Sequence, residues 1–336
     1  MKKLLIASAA AALFAVTASA SAAPTTLTFQ SANFAGEQVF ETQKKWCDGI
    51  TAASNGRFEV ELLPLDAAVK TNDLLRATGN NIIQGALAST AHYAGDDTGF
   101  GLIGDTISAW GSDEDILKFY YEGGGMEVVD KILNDWGVKL FGVSVTGSES
   151  FVSKKEIHTI EDFKGVKMRA PSGPVTKLFA SFGASPVNLP GSEVYTSLDK
   201  GVIDASDFSN FANNQKQGVN DIAKFPIYPG FHSSPTVHLI MNLDTWNGLS
   251  AEDQAFFQSY AKSLSLESLL SAHYQDRLAV AEALKKGITP VAWDDEELKK
   301  VRQHAQKIWE DIAANSEIGK TYYDALVGYL QSQGQM

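Results

Sequence analysis

The sequence predicts an α/β fold in two similar units, and three observations carry the prediction. Between residues 26 and 87, strand-like runs alternate with helical patterns. That order implies parallel strands joined by right-handed crossovers. After Lys139–Val145 the same order begins again, a repeat of pattern and not of sequence. Finally, Ser250-Ala-Glu-Asp253 caps a helical pattern that runs to about Lys286. At about 1.5 Å per residue such a helix is long enough to reach across both units.

Taken in order, Thr26–Ser31 alternates in polarity and reads as a strand. Glu37–Ser54 is an amphipathic helix stopped by Asn55-Gly56, and Arg57–Leu63 is a second strand closed by Pro64. Val69–Thr78 reads as a helix ended by Gly79, and Ile82–Leu87 as a third strand. The strand ends deliver Asn33-Phe34 and Ser89–Tyr93 to one edge. In the second unit, Thr159 and Asp162 form a capping-box pattern. Val166–Met168, Ser185–Val187 and Val202–Ala205 read as strands, separated by helices over Pro174–Phe182 and Ser192–Lys200. Pro235–Asn242 is a strand returning between the units and a candidate hinge. Thr289–Trp293 is a further strand, and the chain from Asp294 is helical.

Arg169 sits at the carboxyl end of a predicted strand, just before a helix start with Pro174 in its first turn. Ligands of open α/β sheets bind at that edge. A guanidinium fork fits a carboxylate or sulfonate bidentately, and a helix start adds N–H groups and positive dipole. The alternative is a solvated or structural ion-pair arginine, and spacing alone does not separate the two.

Lys164-Gly-Val-Lys-Met-Arg-Ala-Pro-Ser-Gly173 is followed by Pro186–Asp204 and by Pro229-Gly-Phe-His-Ser-Ser-Pro-Thr-Val-His-Leu-Ile-Met-Asn242. With Tyr93–Phe100, these ordered blocks resemble the periplasmic solute receptors of tripartite ATP-independent periplasmic (TRAP) transporters of the DctP type. The details are nearest the branch that binds 2-oxo and 2-hydroxy acids. The resemblance implies a two-lobed periplasmic binding fold, each lobe a mostly parallel sheet flanked by helices, with hinge strands and one long helix crossing both. Lobe I would take 24–145 plus about 235–270, and lobe II 146–234 plus about 271–336. It also implies capture of a small organic anion, closure by hinge motion, and delivery to the transporter's small and large membrane subunits.

Composition fits that reading. Met1-Lys-Lys, an apolar run over Leu4–Val16 and Ala18-Ser-Ala-Ser-Ala22 read as a cleavable secretory signal over residues 1–23, which implies a periplasmic location. Without it, the 28 basic residues lose two lysines and the 40 acids lose none, leaving a net charge of −14. That acidity argues against nucleic-acid or anionic-membrane binding, and a monomer is expected. Cys47 is the single cysteine, so no internal disulfide can form.

No catalytic set emerges. The six histidines include no HExxH pair, and no GxSxG elbow occurs. Gly99-Phe-Gly-Leu-Ile-Gly104 matches GxGxxG, but polar loop residues precede it, so a nucleotide site is not expected. The reading is therefore a binding protein and not an enzyme. A secreted enzyme acting on an anion, or a sensor feeding a signalling partner, are the alternatives.

Phe34, Tyr93, Phe208 and Phe231 are candidate apolar walls, with Asn188, Asn210, Asn213 and Tyr195 supplying polar tips. For each aromatic the alternative is ordinary core, and for Tyr195 it is helix-on-sheet packing. In the 2-oxo-acid branch, the resemblance implies, an acid and an aromatic at the place of Asp207 and Phe208 help hold a metal ion, with a Gln upstream. Here the acid is the shorter Asp, and Ser148 is matched to the Gln. Fewer and shorter oxygen ligands count against a cation, so no cofactor or metal is expected. Asp207 and Asn210 would then bond a ligand hydroxyl directly.

Overall fold

The computed structural model describes residues 23–171 and 173–336. All but the last residue of the expected leader lies outside these. The first unit opens with β1 (Thr25–Ser31), α1 (Gln38–Ala53), β2 (Phe58–Leu63), α2 (Leu74–Gly79) and β3 (Gly85–Ala88). It continues through α3 (Thr98–Gly104), α4 (Asp113–Glu122), α5 (Gly125–Asn134) and β4 (Val138–Val145). The second unit holds β5 (Ser150–Ser153), β6 (Lys167–Arg169), α6 (Pro174–Ser181), β7 (Ser185–Val187), α7 (Val194–Asp199), β8 (Ala205–Ser209), α8 (Phe211–Lys216) and α9 (Val219–Ile222). The chain then returns through β9 (Thr236–Asn242) and ends in α10 (Leu243–Asn247), α11 (Ala251–Lys285), α12 (Asp295–Asn315) and α13 (Glu317–Ser332).

Two sheets result, ordered β2-β1-β3-β9-β4 and β5-β8-β6-β7. β1 pairs with β2 and β3 in parallel, as the crossovers require. The returning strand, β9, runs antiparallel between β3 and β4, in the middle of the first sheet. In the second sheet β6 is parallel to β7 and β8, and β5 is antiparallel to β8. The fold is two-lobed, and the chain crosses between the sheets after β4 and again before β9.

Each face of the first sheet has its own core. Phe29, Trp46, Ile50, Phe141 and Phe257 bury one face under α1 and the start of α11. The helices from α2 to α5, with α13, cover the other. The 35 residues of α11 pack on β4 of the first unit and on α8 of the second, so the long helix crosses both as expected.

Local chemistry moved several expected boundaries. Asp66 Oδ1 accepts from the Thr71 N–H and hydroxyl, each at 2.8 Å. That turn starts a 3₁₀ segment at Thr71–Asp73, which shortens the expected helix to Leu74–Gly79. Ile82 and Val202 both lie before their strands, because their N–H groups turn back to Ala77 and Ser197 carbonyls. Thr289–Trp293 is no strand; only Val291 bridges to Ile227.

α13 packs on α3 and α5 of the first unit, and its Tyr322 and Tyr329 rings meet Phe119 of α4. The expected division places 271–336 with the second lobe, whereas α13 packs on helices of the first unit. Aromatic partners far away in sequence decide its place. Gly99 and Gly104 allow close packing within the first unit: a Cβ at Gly99 would lie 2.4 Å from the Gly319 nitrogen, and one at Gly104 2.2 Å from the Ala91 nitrogen. That use of the glycines accounts for the GxGxxG match without a nucleotide.

Candidate functional site

Arg169 closes β6, with α6 following, at the carboxyl edge of the second sheet. Its side chain is 14% exposed. Nε donates to the Leu189 carbonyl at 3.1 Å and Nη1 to the Asp207 carbonyl at 2.7 Å. Two backbone carbonyls thus aim the fork, which answers the structural alternative in part: Arg169 also ties the ends of β7 and β8 together. Nη1 lies 3.8 Å from Asp207 Oδ2.

Asp207 is almost wholly buried, and His232 Nε2 donates to its Oδ1 at 2.6 Å. Burial alone would raise this carboxyl. The His232 hydrogen bond and charge, a hydrogen bond with Glu149 and the Arg169 charge outweigh burial and hold it below the usual range. Glu149 Oε2 lies 3.9 Å from the same His232 nitrogen. Desolvation, then repulsion from Asp207, pushes the Glu149 carboxyl well up. Asp105, from the end of α3, accepts from Ser233 Oγ at 2.7 Å and the Ser234 N–H at 3.2 Å. Burial raises Asp105 to about 6. The first unit therefore touches this cluster through Asp105.

Ligand atoms of Glu149, Asp207 and His232 all lie within 4.8 Å of one another. Sequence reasoning missed Glu149 and His232. It matched Ser148 to the ligand beside the acid, but the residue that faces Asp207 is its neighbour. Ser148 Oγ instead donates to Asp113 Oδ1 at 3.0 Å and lies 2.7 Å from Ser234 Oγ. A carboxyl next to the assigned serine was the available signal.

The remaining candidates divide. Ser148 and half-buried Phe231 share the wall of a cavity of about 20 Å³ with Ser233. Phe231 also stacks on Trp293, ring centres 4.5 Å apart. Phe208 is half-buried and fills the space over Gly191, where a Cβ would meet its ring at 3.0 Å. Asn210 caps α8, accepting from the Asn213 N–H at 2.9 Å, and donates to the Thr146 carbonyl. Asn213 donates to Ser209 Oγ, so both amides hold the turn after β8. Tyr93 is core, edge-on to Phe100 and 2% exposed. Phe34 is 60% exposed and Asn188 lies at the surface. Tyr195, a candidate polar tip with helix-on-sheet packing as the alternative, stands exposed over Gly218.

Two α/β lobes joined by crossing segments, with a mostly buried arginine and a polar cluster at the strand ends, fit a solute-binding protein. The chain belongs to the DctP family, bacterial extracellular solute-binding protein family 7, whose pattern matches residues 30–316. It is thus a periplasmic receptor that hands its solute to TRAP membrane subunits, and not an enzyme. A TRAP periplasmic solute-binding protein from Rhodobacter sphaeroides, in an apo open structure, is 42% identical. That match covers 93% of this chain and 99% of the other, with a TM-score of 0.86. A monocarboxylate 2-oxoacid-binding periplasmic protein from Nostoc sp. is 28% identical over 285 residues, covering 82% of this chain and 76% of the relative. A receptor from Colwellia psychrerythraea with bound calcium and pyruvate shares the fold at 20% identity and a TM-score of 0.78, over 92% of this chain and 95% of that one. Among the described residues, no helix is long and apolar enough to cross a membrane.

Proposed function

We propose that this receptor captures a small organic acid of the 2-oxo or 2-hydroxy type, with Arg169 as the anchor for its carboxylate. The observation that carries this is the Arg169 fork, mostly buried at a strand end and aimed by the Leu189 and Asp207 carbonyls. A charge held this way loses little entropy on meeting a planar anion. The likeness to a 2-oxoacid-binding relative supports the ligand class. A hydroxysulfonate such as isethionate presents the same anionic chemistry to the fork. Phe208 and Phe231 act as walls of the cleft. The lobes divide as 24–145 with about 235–270, and 146–234 with the rest, save that α13 goes with lobe I. Ligand binding closes one lobe on the other.

A second reading adds a cation between protein and ligand. Glu149, Asp207 and His232 offer two carboxylates and a ring nitrogen within reach of one ion. Glu149 is pushed up beside Asp207, and a cation would relieve that crowding of like charge. The direct His232–Asp207 bond of 2.6 Å competes with it. Calorimetric titration of the purified protein with pyruvate, lactate, glycolate and isethionate, with added calcium and with chelator, tests both readings. Micromolar binding to one of them that survives chelation supports the anion reading alone. Binding abolished by chelator and restored by calcium supports the cation as well. No binding to any of the four removes the ligand class.

A further inference from the structure

We infer that the outer face of α11 is a self-association surface that pairs two copies of this receptor antiparallel, about a two-fold axis near Ala272. The inference is independent of which ligand the cleft takes. One side of α11 is spent on β4 and α8. The other side carries an apolar row among polar residues. Leu266, Leu270, Tyr274 and Leu278 follow at four-residue spacing, in one row along the helix. They are 56, 59, 61 and 51% exposed. The open surface along this row, from Ser263 to Arg277, is formed by α11 alone.

Together the four side chains present an apolar patch on the order of 400 Å², a size that marks interaction sites on soluble proteins. A pair of such patches supplies roughly half of the ~1,600 Å² that a standard interface buries, and the polar rim supplies the rest. A row that must face itself is what a two-fold dimer requires.

The charges on the helix select the direction. Lys262 and Glu267 precede the axis, and Arg277 and Glu282 follow it at matching distances. Antiparallel pairing brings Glu267 level with the partner copy's Arg277, and Lys262 level with its Glu282. Parallel pairing would set like charges side by side. Glu267 also holds Lys45 at 2.6 Å, which steadies it on the rim. A membrane surface fits less well. A helix lying on lipid carries mostly Lys and Arg on its flanks, whereas acids and bases are balanced here.

Sedimentation velocity of the mature chain from 1 to 100 μM provides the test. The expected result is a concentration-dependent dimer in place of the single copy anticipated from sequence. Leu270→Glu with Tyr274→Glu should leave a monomer over the whole range, with an unchanged circular dichroism spectrum. Arg277→Glu alone should weaken the dimer about tenfold, and Glu267→Arg added to it should restore it. For a probe that carries no new charge, Leu270→Cys mixed with Tyr274→Cys should form far more disulfide-linked dimer than either alone. A wild type that stays monomeric to 100 μM overturns the proposal, whether or not the row then binds a membrane subunit. A dimer that survives the double substitution, or cysteines that cross-link no better mixed than separate, overturns the surface.

Discussion

The two sheets bury their strands to different depths. In the first, every residue of β3 and β9, and all but one of β4, is buried. In the second, β5 is wholly buried and β8 mostly so, but β6 has one buried residue of three and β7 has none. The first sheet has apolar cores on both faces and reads as scaffold. The strand ends of the second carry Arg169 and Asp207, which need carbonyls and a histidine beside them instead of apolar neighbours. Arg169 thus sits on the thinly buried side of the second sheet, where local opening is easier.

Arg169→Ala should give the largest effect in that contrast. An anion left without its counter-charge in the cleft should lose on the order of 3–5 kcal/mol, or several hundredfold in affinity. Arg169→Lys should fall between it and wild type. Stability should drop by only about 1–2 kcal/mol, for the lost bonds to Leu189 and Asp207. Titration calorimetry and urea unfolding read the two quantities, and an Ala variant binding within about threefold of wild type would remove Arg169 as anchor.

The scaffold should respond the other way. Leu239→Ala deletes a fully buried side chain in the central strand β9. It should cost about 2–5 kcal/mol of stability in urea unfolding while leaving affinity unchanged in the folded protein. A loss under about 1 kcal/mol would contradict the role given to the first sheet.

A smaller effect belongs to the strap between the lobes. Asp276 of α11 accepts from the Ala212 N–H of α8 at 2.8 Å. Burial raises its carboxyl to about 6, with Asp113 adding and Ala212 and His273 opposing. In the unfolded chain it ionises near ~3.9, so the folded state holds the extra proton between those values. Stability is therefore lost as pH rises through that window and stays lower above it. Asp276→Asn keeps an acceptor and removes the charge. It should stabilise by about 1–3 kcal/mol at pH 8 and by almost nothing at pH 4. Equal effects at both pH values would show that ionisation is not the cause.

Val187→Ala closes the series. This β7 side chain is 43% exposed, and its loss should change unfolding by less than about 0.5 kcal/mol. A cost like that of Leu239→Ala would erase the difference between the sheets.

Much of this architecture was legible before any coordinates. The alternation of Thr26–Ser31 and Arg57–Leu63 set which side chains face inward, because a strand has period two. Ser250 and Asp294 marked helix starts, and both cap in the structure, accepting from the Asp253 and Glu297 N–H groups. Arg169 was placed at a strand end before a helix by its own neighbours. These features depend on residues within one turn or one strand of each other.

What only the tertiary structure decided are meetings between distant segments. β9 enters between β3 and β4, where all seven of its residues are buried, and no local signal names those partners. α13 turns to the first unit because Phe119 lies there to receive Tyr322 and Tyr329. Glu149, Asp207 and His232 stand far apart in sequence, on the loop after β4, on β8 and on the segment before β9. Asp207 stands out by resemblance, but Glu149 and His232 look like ordinary polar residues until the two lobe crossings fold side by side. Backbone periodicity is local, whereas the pairing of two carboxylates with one histidine is fixed by how the sheets and their crossings close on each other.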